Sequence, residues 1–200
     1  MVLVNLWFWL IALTFTLYFF LEGFDFGVDI LRPTLARTEA EERALTGTIG
    51  PFWDGNEVWV IAAAGVMFST FPVWYGAVFS GMYPVFVVIL LALLLRGVSF
   101  EYRNQVDRER WRSFWDRMSF LGSVVPSFLW GVVMAKIIEG LPVDADGRVE
   151  SGLAPLFTPF ALVGGLSTLL LFMLHGATFL LLRLHKDTVL YDRARTAALR

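Results

Sequence analysis

The sequence predicts an all-α fold, a polytopic transmembrane helix bundle of about five spans in one domain over residues 1–200, and three observations predict it. The chain is 57% hydrophobic and only 17% charged, with mean hydropathy +0.65, which is too apolar for an ordinary soluble domain. Five apolar runs approach the roughly 20 residues that a helix needs to cross a bilayer. Fourteen of the sixteen basic residues also fall on one side of the membrane if five spans alternate.

The first span covers residues 3–31. It opens on "MVLVNLWFWLIALTFTLYFF", which lacks the basic start and small-residue cleavage site of a removable signal. It is therefore expected to be a retained helix. The second apolar run, Val58 to Phe71, is short unless Asp54 to Glu57 join it, so the span is placed at 54–71. "STFPVWYG" then separates it from a third span at 78–95, with Pro and Gly suiting a tight re-entry beside interfacial Trp74 and Tyr75. The fourth and fifth spans are placed at 118–138 and 158–182. Between them "GLPVDADGRVESGLAP" reads as a polar loop with an Asp-Gly turn signal.

Orientation follows from the basic residues, because cytoplasmic loops collect Lys and Arg. Arg32, Arg37 and Arg43 follow span one. Arg96, Arg103, Arg108, Arg110, Arg112 and Arg117 follow span three, and Arg183, Lys186, Arg193, Arg195 and Arg200 lie in the tail. Only Lys136 and Arg148 fall on the other side. The N-terminus is thus expected outside and the C-terminal tail in the cytoplasm, with anionic lipid as the bland partner of the arginine-rich loops.

Function is sought where ionisable groups enter the membrane, since each carboxylate at mid-bilayer costs about 2.5–3.5 kcal/mol. In "LEGFDFGVDILRP", Glu22, Asp25 and Asp29 share one helical face with Arg32 a further step along. Arg32 can neutralise Asp29, but Glu22 lies about 15 Å deeper at 1.5 Å per residue. Gly23 and Gly27 would let a neighbouring helix approach closely. In "GPFWDGNEVWV", Gly50 and Pro51 mark a helix start that favours an acid at Asp54. Asp54 and Glu57 share a face, as neighbouring carboxylates suited to proton exchange, and Asn56 is a donor to whichever form is charged. In "RGVSFEYR", Arg96, Glu101 and Arg103 close span three, and Arg96 is expected to answer the acids of spans one and two rather than snorkel to lipid. A buried ion-pair cluster and a proton relay both fit these residues.

His175, in "LLLFMLHGATFLLL", and the six Met residues raise haem ligation, but a lone histidine beside Gly is more often a hydrogen-bonded interior residue. With no cysteine there is no disulfide frame, thiolate metal site or Cys nucleophile. No phosphate loop, catalytic triad or zinc helix occurs, and the net charge of −2 carries no nucleic-acid signal.

Taken together, "EGFDFGVDIL", "GPFWDGNEVWVI", "FPVWYGAVFSGMYPVFVVILLALLLRG" and "RGVSFEYR" resemble, in order and spacing, the smaller subunit (subunit II) of cytochrome bd-type quinol oxidases. From about Trp111 onward the likeness rests on span layout. The resemblance implies further helices after this point, so that the chain matches the first half or more of such a subunit. It implies a partner, subunit I, that carries haems b and d and oxidises quinol with reduction of oxygen to water, in a bacterial or archaeal cell membrane. It implies no catalytic residue, no metal and no cofactor bound by this chain alone, although some members hold a structural quinone. Asp54 would stand at the mouth of a proton pathway from the cytoplasm, with Glu57 and Asn56 beside it, and Trp59 near an apolar oxygen route. Glu22, Asp25, Asp29, Arg96, Glu101 and Arg103 would form a buried polar cluster. Bilayer-soluble oxygen needs only apolar side chains along its path, whereas protons need carboxylates, amides and water. A cation-coupled transporter or channel remains the alternative reading of intramembrane acids, and a structural anchor is a third.

Overall fold

The computed structural model describes residues 2–141, Val149 and 154–199. Arg148, Arg200 and the Asp146-Gly147 turn signal lie outside the described residues. Among the described residues eight α-helices run in order: α1 Val2–Leu35, α2 Glu39–Ile49, α3 Trp53–Thr70, α4 Pro72–Gly81, α5 Tyr83–Tyr102, α6 Glu109–Glu139, α7 Pro159–Arg183 and α8 Val189–Ala198. Four of them, α1, α5, α6 and α7, are long and apolar enough to cross a membrane. This is a multi-pass membrane protein. The second span expected from the sequence, at 54–71, coincides with α3, which includes Asp54 to Glu57 in its first turns but is not among those four; its 18 residues extend about 27 Å.

Helix ends follow local chemistry. Thr38, Thr158 and Thr188 cap α2, α7 and α8, each hydroxyl accepting a first-turn backbone N–H. Glu39, Glu41 and Glu42 crowd the first turn of α2, where the helix dipole favours negative charge. The expected third span at 78–95 needs correction: α4 ends at Gly81 and α5 begins at Tyr83. Pro84 falls in the first turn of α5, where its missing N–H costs nothing, whereas inside a continuous helix it would remove a hydrogen bond. Continuing past Leu95 to Tyr102, α5 also carries Arg96 inside a helix rather than at its end.

α5 packs on α6, α6 on α7, and α1 on α7, α3 and α6. α1 and α7 cross at their glycines: a Cβ on Gly27 would collide with the Phe172 carbonyl, and one on Gly176 with the Gly27 backbone. Gly23 meets only the Phe172 ring and His175, so the backbone crossing belongs to Gly27.

Two buried clusters result. One centres on Trp130, packed among Phe15, Tyr18, Phe19 and Phe86, with its Nε1 donating to the Tyr18 hydroxyl at 3.1 Å. The other joins Phe24, Val28 and Leu31 of α1 to Leu45, Ile49, Ala177, Leu180 and Leu190. Arg96 links them, lying over Phe26 of the first and Phe100 of the second.

Candidate functional site

Four residues on from Tyr18, at Glu22, the face of α1 turns from aromatic to acidic. Glu22, Asp25 and Asp29 are fully buried, as is Arg96 of α5. Arg96 Nη1 donates to Glu22 Oε1 at 2.5 Å and to Glu57 Oε1 at 3.1 Å. The guanidinium lies over the rings of Phe26 (4.8 Å) and Phe100 (5.3 Å), which shield it from water while attracting its charge. Asn56 donates from Nδ2 to Asp25 Oδ2 at 2.5 Å and to the Leu21 carbonyl at 3.2 Å, tying α3 to α1. Two carboxyls therefore share one guanidinium nitrogen, and a third, Asp25, is held beside them by Asn56. Four polar atoms of this inner group, Glu22 Oε2, Asp25 Oδ1, Arg96 Nε and Arg96 Nη2, are buried without a protein partner among the described residues. Orphaned atoms of this kind are what internal water satisfies.

A second, outer network lies a turn away along α1. Asp29 accepts from Arg32 Nε (3.0 Å) and from the hydroxyls of Ser119 (2.5 Å) and Ser123 (2.7 Å) on α6. Asp116 accepts from both Arg32 Nη1 and Arg103 Nε at 2.6 Å, and Arg103 also forms a two-pronged pair with Glu39 at 3.0 and 3.1 Å. Arg32 reaches Glu42 at 3.1 Å. The Arg103 hydrogen bonds hold the Glu39 carboxyl down at about 2. Burial pushes Glu42 up, against the pull of Arg32.

The expected sites are thus brought together unequally. Glu22, Asp25, Asn56, Glu57 and Arg96 form one group; Asp29 and Arg103 join the other. Glu101, expected inside the polar cluster, is exposed instead. Five residues turn a helix through about 500°, which sets Glu101 about 140° around α5 from Arg96, whereas Arg103, seven residues on, returns to within about 20°. Asp54 is exposed on the surface of α3, one turn before half-buried Glu57. Trp59 packs against the aromatic core. Its neighbour Val60 lines an apolar cavity of about 640 Å³ that shares Phe15, Phe79, Phe86 and Trp130 with a second of about 470 Å³. His175 lies between the rings of Phe20 and Phe24, with aromatic neighbours and no hydrogen-bond partner among the described residues.

Asp116, Glu39, Glu42, Ser119 and Ser123 are absent from the sequence reading. Ser119, Ser123 and Ser127 recur every four residues through an apolar helix, a polar stripe that a search for charges alone passes over.

Comparison with known proteins decides the family, because the model for cytochrome bd terminal oxidase subunit II matches residues 3–200. The chain belongs to that family. It is 44% identical over 194 residues to the cytochrome bd ubiquinol oxidase subunit 2 of Bacillus subtilis, covering 97% of this chain and 57% of the relative. It is 38% identical over 181 residues to a probable cytochrome oxidase subunit 2 of Haemophilus influenzae, covering 88% and 47%. The match to the cytochrome bd-I ubiquinol oxidase subunit 2 of Escherichia coli is 34% over 197 residues, covering 96% and 52%. The chain thus spans about half the length of the curated relatives that it matches. No group of three or more metal-ligating side chains occurs among the described residues.

Proposed function

We propose that the chain acts as part of a haem-free subunit of a membrane quinol oxidase, bound to a larger subunit that carries haems b and d, reduces oxygen to water and oxidises quinol. Its own contribution is to move protons inward from the cytoplasm and to leave an apolar path for oxygen. Family membership supports this over an autonomous transporter, since the relatives are named as oxidase subunits. The arginine-rich end, where α1, α5 and α7 finish, faces the cytoplasm in this reading.

One observation carries the proton assignment: a single nitrogen, Arg96 Nη1, joins half-buried Glu57 to fully buried Glu22. Asp54 takes protons from water at the surface of α3, Glu57 lies one turn further in, and Asn56 orients Asp25 beside Glu22. The unpartnered oxygens of Glu22 and Asp25 are the positions for water that would carry the proton between them. Oxygen needs none of this and travels through the phenylalanine-lined cavities beyond Val60.

The test is Asp54→Asn in the assembled oxidase. Turnover should fall while the haem spectrum stays unchanged. Loss of the complex, or unchanged turnover, would remove Asp54 from proton delivery. Orientation is open to direct assay because the chain has no native cysteine: a single cysteine at exposed Arg110 should react with an impermeant reagent only from the cytoplasmic face.

A further inference from the structure

A cavity of about 310 Å³ lies where α2, the end of α5 and the start of α6 meet. Its mouth is formed by exposed Arg43, Gly47 and Asn104, and its floor by buried Ser99, Arg103 and Ser119. Ser119 is 3% exposed, yet its hydroxyl donates to Asp29 Oδ2 at 2.5 Å, so the floor of the cavity is one hydrogen bond from an acid inside the bundle. Asp25 stands four residues before Asp29 on the same face, about 6 Å along the axis, and its Oδ1 is buried without a partner. Asp54, on α3, does not line this cavity.

We propose that the cavity between α2, α5 and α6 is a second aqueous entrance to the buried acids, leading through Ser119 and Asp29 to Asp25, separate from the surface at Asp54. The proposal rests on the reading that this chain delivers protons. The surrounding charge admits a proton: Asp29 from α1, Glu39 and Glu42 from α2 and Asp116 from α6 face Arg32, Arg43 and Arg103, four acids against three arginines. Three donors, Arg32 Nε and the hydroxyls of Ser119 and Ser123, already converge on Asp29 and fix its place just behind the floor of the cavity. Asp29 orders water there, and the proton passes along that water toward Asp25. The route thus differs from the α3 face, where the carboxylates themselves are the carriers.

Single introduced cysteines, with labelling read at the substituted peptide by mass spectrometry, give a direct test in inside-out vesicles holding the assembled oxidase. Ser119→Cys should react with a water-soluble methanethiosulfonate about tenfold or more faster than Ser123→Cys, one turn deeper and outside the cavity, since thiol modification follows solvent access. Ser99→Cys, also on the floor and bonded only to its own helix backbone, serves if the Ser119 variant does not assemble. Gly47→Leu should slow that labelling, because a Cβ at Gly47 enters open space and the larger side chain fills the mouth without a clash. Equal reaction of floor and deeper positions would overturn the proposal. In the turnover arm, Gly47→Leu added to Asp54→Asn should lower the residual rate several-fold, while Gly47→Leu alone should leave most activity. No further loss in the double variant would show that the cavity admits water but not the protons used. A full rate with Asp54→Asn alone would instead count against the Asp54 reading and leave the labelling result to decide the cavity.

Discussion

Replacing Arg96 by methionine tests the electrostatic centre of the bundle. The side chain is 0% exposed and bonds Glu22, also 0% exposed, at 2.5 Å. Methionine fills much of the arginine volume but leaves Glu22 buried without its cation, and removing one partner of a buried pair costs about 3–5 kcal/mol. Loss of the contacts with the Phe26 and Phe100 rings adds to this, on the order of 1–2 kcal/mol for a desolvated cation over aromatic faces. Glu57 softens the loss, because at 23% exposure it can turn to solvent. A net loss of about 3–5 kcal/mol corresponds to a fall in thermal midpoint of roughly 6–20 °C for a domain of this size. The assay is thermal unfolding of the detergent-solubilised complex. The decisive comparison is Arg96→Met with Glu22→Leu, which removes both charges and should recover most of the midpoint. The reasoning is refuted if Arg96→Met alone costs less than about 1 kcal/mol, or if the double variant loses the sum of the two single losses.

Gly27→Ala should prevent stable packing of α1 on α7, because its Cβ meets the Phe172 carbonyl, whereas Gly23→Ala, facing a Phe172 ring that can turn, should cost no more than about 1–3 kcal/mol; yield of folded chain after detergent extraction separates them. Tyr18→Phe strands Trp130 Nε1 in a buried site and should lower stability by about 1–3 kcal/mol in thermal unfolding. Glu39 is held at about 2 by Arg103, against an ordinary 4.5. A carboxyl depressed in the folded state adds stability that is fully present above about pH 4.5 and lost as pH falls toward 2. The midpoint difference between the protein and Glu39→Gln should therefore be constant from pH 7 to 5 and shrink below 4.5; a difference unchanged at pH 3 would contradict it.

Much of the site is legible in the sequence. Three-and-four spacing placed Glu22, Asp25 and Asp29 on one face of α1, and the shortness of the second apolar run drew Asp54, Asn56 and Glu57 into α3. The need for a cation near those acids pointed to Arg96. Asp116 was not legible. In "SFWDRMSF" it reads as an ordinary interfacial acid, and its bridging of Arg32 and Arg103 depends on three helices meeting at one height. Glu101 differs from the expectation for a related reason: the motif places it five residues from Arg96, and helix rotation turns it away from the buried face.

By itself, the sequence determined that the chain is a membrane helix bundle, which residues carry charge into it, and which family it belongs to. The bundle and its charges reside in composition, apolar run length and periodicity, and the family in four motifs in a fixed order, all of them written along the chain. Only the tertiary structure decided the partition of the charges into an inner group around Arg96 and an outer one around Asp116. It also decided the Gly27 to Gly176 crossing and the cavity above Ser119. Each depends on which faces of separate helices meet, and a buried charge takes whichever partner that packing brings within hydrogen-bond reach.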